Sequence, residues 1–298
     1  MKLLTHYLNG PHAQQSEERN WRENYINDSL FYSCRETRYT RQTYPSSLHY
    51  HEYYELVIFL EGDIHYICES ETVRPQYGDI ILIPPRKLHM SMINDDETLY
   101  RRHVFYFYAD AFDTLGCAAL TNFLKEEHLL TALGDGDRQQ MISLLSRLEV
   151  SLRMDSACAQ ALALGYILEI FYLLNQERTY QQRPQADLPE NVRAIQRYLD
   201  EHFMEIHNVS EVAEHFYYSR EYVSRLFKQA FNTTVADYIM TRRVAQSQSL
   251  IAQGLPLSEV CFRAGFGNLT TFIRSFRAVA QMTPSQYRKM LEKKTFPD

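Results

Sequence analysis

The chain has 298 residues, room for two domains of ordinary size, with a formal net charge of −6 and a pI near 6.0. That balance argues against nonspecific coating of nucleic acid, and five scattered cysteines (Cys34, Cys68, Cys117, Cys158 and Cys261) without a Cys-x-x-Cys pair point to neither a disulfide framework nor a zinc cluster. They read as core thiols, with redox sensing as the alternative. No apolar run approaches the ~20 residues of a membrane span, and Met1-Lys-Leu-Leu-Thr-His-Tyr lacks the apolar core of a signal peptide, so a cytoplasmic protein with no membrane partner is expected.

The first part of the chain reads as short β-strands. Tyr53–Leu60, Ile64–Cys68, Asp79–Ile83 and Val104–Tyr108 are rich in β-branched and aromatic residues and are separated by Gly, Pro and polar turns. This predicts an α+β chain whose residues 1–115 form a small β-barrel or jelly roll that can enclose a ligand. The many tyrosines serve either as strand aromatics or as stacking faces and hydroxyls for that ligand.

Within this half, His49-x-His51, Glu55 and Gly62 follow one another at a spacing that resembles the first cupin motif. Gly78, Pro84 and His89 partly match the second, with Arg86 where Gly is usual and Ile93 where Asn is usual. In metal cupins the positions corresponding to His49, His51, Glu55 and His89 bind a divalent ion, and three imidazoles with a carboxylate suit iron, manganese, nickel or zinc. Two readings follow: a metal-dependent cupin enzyme, or a polar effector pocket lined by His49, His51, Glu55, Arg86 and His89. We take the second, with no catalytic residue, no cofactor and no metal, and keep the first as the alternative.

From about Ala118 the hydrophobic period changes from two to 3.6. Met141, Leu144, Leu145, Leu148 and Leu152 form one helical stripe, and Ala161, Leu164, Ile167, Leu168, Phe171 and Leu174 a second. Residues 116–175 are therefore expected to pack on the barrel, their remaining apolar surface serving either the core of the same chain or a contact with a second subunit. Residues 176–188 lose all periodicity and read as a linker. The two halves differ in charge: residues 1–183 carry a net −8 and residues 184–298 a net +2.

Residues 189–298 contain one pattern twice. Ser210-Glu-Val-Ala and Ser258-Glu-Val-Cys each offer an N-cap serine, an acidic first turn and a short apolar stripe, and each leads through a turn to an Arg-bearing helix ending in Phe. Gly265 suits the second turn, whereas Tyr217 stands at the matching point of the first. Two helix-turn-helix units, 210–231 and 258–281, are predicted, joined by one amphipathic helix over Val235–Ala252 that stops near Gly254 and Pro256. With Val223, Leu226 and Phe227 facing inward in the first unit, and Phe272 and Phe276 in the second, the polar faces carry Arg220, Glu221, Ser224 and Arg225, then Asn268, Thr270, Thr271 and Arg274. Arg can bond guanine, Asn adenine, and a Thr methyl can pack on thymine, although any one Arg can equally serve a phosphate or a helix neighbour. Arg242, Arg243 and Arg263 read as phosphate or structural contacts.

Tyr222-Val-Ser-Arg-Leu-Phe-Lys228, Tyr238-Ile, Arg242-Arg243, Gly265-Phe266, Phe272, Phe276 and Thr283-Pro-Ser-Gln-Tyr-Arg288 follow in the order of one known domain. Residues 190–291 resemble the DNA-binding domain of the AraC/XylS family of bacterial transcription regulators. The resemblance implies a homodimer that binds double-stranded promoter DNA, responds to a small-molecule effector such as a sugar, and works with RNA polymerase when it activates. It favours activation over repression. Asn232 and Gln281 depart from the family in replacing Gly after the two reading helices.

Overall fold

A computed structural model describes residues 21–27, 29–40, 48–69, 71–93, 97–125, 129–154, 156–176 and 188–292. The chain divides into two compact units, Met1–Ser46 with His51–Ala186, and Ser47–Tyr50 with Asp187–Asp298.

Among the described residues the first unit has nine strands: β1 Trp21–Asn27, β2 Leu30–Thr40, β3 Tyr54–Glu61, β4 Ile64–Cys68, β5 Glu71–Val73, β6 Ile80–Ile83, β7 His89–Ile93, β8 Glu97–Phe107 and β9 Leu130–Thr131. Six form a sheet in the order β1-β2-β8-β3-β6-β9, and three form a smaller sheet, β5-β4-β7. The backbone of β2 is antiparallel to β8 along its whole length, from Leu30 opposite Phe107 to Thr40 opposite Glu97. Successive side chains of a strand point to opposite faces. Phe31, Tyr39, Tyr100, Val104 and Tyr106 therefore turn toward the small sheet and pack with Ile64, Tyr66 and Ile93. Leu30, Tyr32, Phe105 and Phe107 turn the other way, toward two helices.

Of the expected barrel or jelly roll, the described residues form an open pair of sheets, with no strand ladder joining the two. The reason lies at the corner between β3 and β4. Gly62, with φ +134°, lets the chain leave the large sheet after Glu61, and β4 then pairs only with β5 and β7.

The helices α1 (Asp135–Leu152) and α2 (Ala157–Leu174) cover the outer face of the large sheet. On α1, Met141, Leu144, Leu145 and Leu148 are buried as the period predicts, and Leu152 is half-buried. On α2 the buried set is Ala159, Ala163, Ile167, Ile170, Phe171, Leu173 and Leu174; Ala161 is exposed and Leu164 and Leu168 are half-buried. The stripe is rotated because α2 is apolar nearly all round, so periodicity alone could not orient it. Among the described residues α2 is the one helix long and apolar enough by composition to cross a membrane, contrary to the expectation from the sequence. Its Phe171 nevertheless sits in the core against Phe105, Phe107 and Phe112, as in a core helix.

The second unit is helical: α3 Glu190–His202, α4 Val209–His215, α5 Arg220–Phe231, α6 Val235–Ala252, α7 Leu257–Arg263, α8 Leu269–Ala280 and α9 Pro284–Glu292. The long connecting helix α6 has the predicted bounds, and its buried face includes Tyr238, Ile239, Val244, Leu250 and Ile251. The helix starts differ. Asn208, not Ser210, caps α4: its Oδ1 accepts from the N–H groups of Ser210 and Glu211, while Glu211 reaches back to accept from the His207 N–H. Pro256, not Ser258, precedes α7, without a side-chain cap. All but two residues of the expected linker 176–188, Gln176 and Leu188, lie outside the described residues.

Candidate functional site

Each pair α4–α5 and α7–α8 is a helix-turn-helix whose second helix buries one face and exposes the other. On α5, Val223, Phe227 and Phe231 are buried. Helical geometry then puts Glu221, Arg225 and Lys228 on the opposite side, with Ser224 on the flank and Arg220 at the N-terminal rim, all exposed. Ser219 starts the helix by accepting a hydrogen bond from the Tyr222 N–H at 3.2 Å. The Arg225 guanidinium lies 5.8 Å from the centre of the Tyr222 ring, within reach of a cation–π contact.

On α8, Phe272, Ser275, Phe276 and Ala280 are buried, and Thr270, Arg274 and Arg277 project outward. Asn268 and Thr271 have a different part. The Asn268 Oδ1 accepts from the Thr271 N–H at 2.8 Å, so Asn268 caps the helix, while Thr271 is half-buried. Lys228 and Arg277 are the cations that sequence reasoning left out. Each stands three residues beyond a predicted reader, the spacing that returns to the same helix face.

The three interhelical arginines separate by role. Arg243 donates to the carbonyls of Phe203, Ile206 and Met204, at 2.9, 2.7 and 3.4 Å, and its burial lowers its pKa. Arg242 pairs with Asp200 at 3.3 Å, and Arg263 pairs along α7 with Glu259 at 3.3 Å. The first two are structural.

The two turns reach one conformation with different residues. Gly265 has φ +83°, and a Cβ there would stand 2.5 Å from the Met204 carbonyl oxygen. Tyr217 has φ +56°, and its side chain is 96% exposed. Asn232 and Gln281, with φ +48° and +56°, likewise hold the left-handed conformation that ends α5 and α8.

In the first unit, His51, Glu55 and His89 converge at one end of the space between the sheets. Carbonyl oxygens only accept, so His51 Nδ1–H donates to the Tyr53 carbonyl at 2.7 Å, and His89 Nδ1–H to the Lys87 carbonyl at 2.9 Å. Both Nε2 atoms then face one carboxylate oxygen, Glu55 Oε2, at 3.1 and 3.3 Å. Burial alone would raise the Glu55 carboxyl, but the two imidazoles outweigh it and hold it well below the usual range; burial also pulls the His51 imidazole toward its neutral form. The ring of His51 stacks on Tyr53 at 4.2 Å, and Tyr53 meets Tyr106 edge to face at 5.2 Å.

Arg86 turns to Glu52, with Nε donating at 2.9 Å, and its own N–H donates to the His51 carbonyl at 2.7 Å. Its φ of +65° keeps the backbone conformation that the cupin glycine would have supplied. His49 is exposed and belongs to Ser47–Tyr50, which groups with the helical unit.

A family model described as an AraC-like ligand binding domain matches residues 32–162, and one described as a helix-turn-helix domain matches residues 212–290. The chain belongs to the AraC family. An uncharacterized HTH-type transcriptional regulator of Staphylococcus aureus is 22% identical to it over 235 residues, which make up 77% of this chain and 30% of that protein. The chain thus spans less than a third of the length of the staphylococcal relatives it matches. YdiP of Escherichia coli (strain K12), also described as an uncharacterized HTH-type transcriptional regulator, is 24% identical over 247 residues, 80% of this chain and 79% of that one. The DNA-binding domain of AdpA, a global transcriptional factor solved with a target DNA, is 25% identical over 35% of this chain and 95% of its own, with a TM-score of 0.34. In this AraC-family chain the matched helix-turn-helix region contains α5 and α8, and the matched ligand-binding region contains His51, Glu55 and His89.

Proposed function

We propose that the protein is a cytoplasmic transcription regulator, acting as a homodimer, that reads promoter DNA with α5 and α8 and responds to a small-molecule effector held between the two sheets. The observation that carries this reading is the pair of exposed cationic faces, Arg225 with Lys228 and Arg274 with Arg277, on two successive helix-turn-helix units. Two such helices joined by one rigid helix, α6, suit successive major-groove segments about one turn, ~34 Å, apart. Arg220, Glu221, Ser224 and Thr270 complete the reading faces, with Asn268 and Thr271 at the start of the second.

The effector reading rests on His51, Glu55 and His89 beside the ring faces of Tyr53 and Tyr106, a set suited to a polar metabolite such as a sugar. For the dimer, α2 leaves Leu162 and Tyr172 about half exposed, an apolar outer face available to a second copy. Effector binding acts by favouring one arrangement of the reading units over another, and ~1–3 kcal/mol of such coupling makes a switch. Activation, through contact with RNA polymerase, is the sign we assign.

The same donor set fits a divalent cation. Each imidazole is anchored through Nδ1–H to a backbone carbonyl and presents Nε2 to Glu55 Oε2, so loss of the Nε2 proton would free a lone pair there for an ion. His51, His89 and Glu55 would hold the ion, and the ion would offer a Lewis-acidic position to an effector oxygen.

Selection of genomic fragments by the full chain at stated salt, with and without a panel of sugars and related metabolites, tests the regulator. Enrichment of one promoter that changes with a single metabolite supports it. Enrichment of no fragment in any condition overturns it.

A further inference from the structure

A second polar cluster lies on the opposite face of the large sheet from His51 and Glu55. Cys34 on β2 and His103 on β8 are directly paired across the ladder, and both side chains turn toward α1. Glu149 of α1 comes down over them. One donor atom from each of the three residues lies within 4.8 Å of the other two. His103 Nδ1 stands 3.4 Å from Glu149 Oε1, and the Tyr32 hydroxyl is 2.7 Å from the same nitrogen.

Tyr32 is buried and its hydroxyl shares a hydrogen bond with His103 Nδ1, a bond that an ion at this nitrogen would replace. The Cys34 sulfur lies beside the Glu149 carboxylate. An imidazole nitrogen, a carboxylate and a sulfur thus converge, in a place that is only partly covered: Cys34 is half-buried and the Glu149 side chain is 23% exposed. Redox sensing, the alternative reading of the cysteines, fits this thiol poorly, since burial and Glu149 push it up to about 12 and away from the reactive thiolate.

We propose that Cys34, His103 and Glu149 form a divalent-cation site best suited to zinc, which fastens α1 to strands β2 and β8. One sulfur, one nitrogen and one oxygen donor make a set of borderline softness, typical of tetrahedral zinc, with the Tyr32 hydroxyl or a water as the fourth ligand. On binding, the ion takes the place of the Cys34 proton, which leaves to solvent, and a sulfur–metal bond forms. The site ties the sheet to the helix pair and is separate from the donors between the sheets.

Cobalt(II) titration of the full, chelator-stripped chain reads the site directly, because sulfur ligation adds a thiolate-to-cobalt charge-transfer band that His51, Glu55 and His89 cannot give. We expect one equivalent with that band, its displacement by zinc, and a rise in melting temperature when zinc is added. Cys34→Ser should abolish the band, and Glu149→Gln and His103→Gln should each weaken cobalt binding by about tenfold or more. His89→Gln, which removes a donor of the other cluster, should leave the band intact. Should Cys34→Ser fail to fold, Glu149→Gln carries the test, because Glu149 lies toward the surface of α1. Absence of the band in the wild type overturns the proposal and leaves a hydrogen-bonded cluster only. Persistence of the band in Cys34→Ser, or cobalt affinity unchanged in Glu149→Gln, overturns it equally.

Discussion

The two helix-turn-helix units solve the same turn in opposite ways. In the second, Gly265 lies against the main chain at Met204, so the left-handed backbone and the absence of a Cβ are both required. In the first, Tyr217 takes the same left-handed conformation in open solvent, where only the backbone cost applies. A glycine in a repeat can thus mark either a backbone angle or a steric limit, and the copy that lacks it tells which. The angle is common to both units, and the steric limit belongs to the second alone.

This difference can be tested by substitution. Gly265→Ala should have the largest effect, a loss of about 3 kcal/mol, because strain at positive φ adds to a clash with the Met204 backbone. Denaturant melts of the full chain, followed by a probe in the helical unit, would show it; a loss no greater than that of an exposed alanine substitution would refute the steric account. Arg243→Leu should follow, at about 2 kcal/mol, since it strands carbonyls of Phe203, Met204 and Ile206, the same segment on which Gly265 rests. Its weakening should be non-additive with Gly265→Ala in a double-mutant cycle. Asn268→Ala and Ser219→Ala should each cost about 1 kcal/mol through loss of the caps on α8 and α5, with the glycine variants of both nearly restoring stability. Tyr217→Gly should be the smallest effect and of opposite sign. Relief of strain, partly offset by the entropy of the unfolded chain, should stabilise by about 0.5 kcal/mol, and destabilisation would show that the Tyr217 side chain has a packing role.

Much of the helical unit was legible because its signals are local. The bounds of α6 follow from a run without Gly or Pro that closes at Gly254 and Pro256, and the inward faces of α5 and α8 follow from Val223, Phe227, Phe272 and Phe276. The start of α4 was missed by two residues because Asn208 and Ser210 are both good caps. The Glu211 side chain, reaching back to the His207 N–H, decides between them.

The sheet unit was less legible. The strand β2 escaped notice because Ser33, Arg35, Glu36, Thr37 and Arg38 interrupt its apolar residues, and its place is set by β8, some seventy residues away in sequence. His51 and Glu55 could be read from their spacing, but His103 and Glu149 have no sequence signal linking them to Cys34, since they meet only through the β2–β8 register and the descent of α1.

The most direct test of the DNA-reading account compares operator preferences selected by the wild type, Arg225→Ala and Arg274→Ala under one salt condition. Each variant should lose preference at its own short segment, the two segments lying about 10 base pairs apart, while the other segment stays specified. Loss at the same positions in both variants, or unchanged preference in either, would contradict the assignment of α5 and α8 as two separate readers.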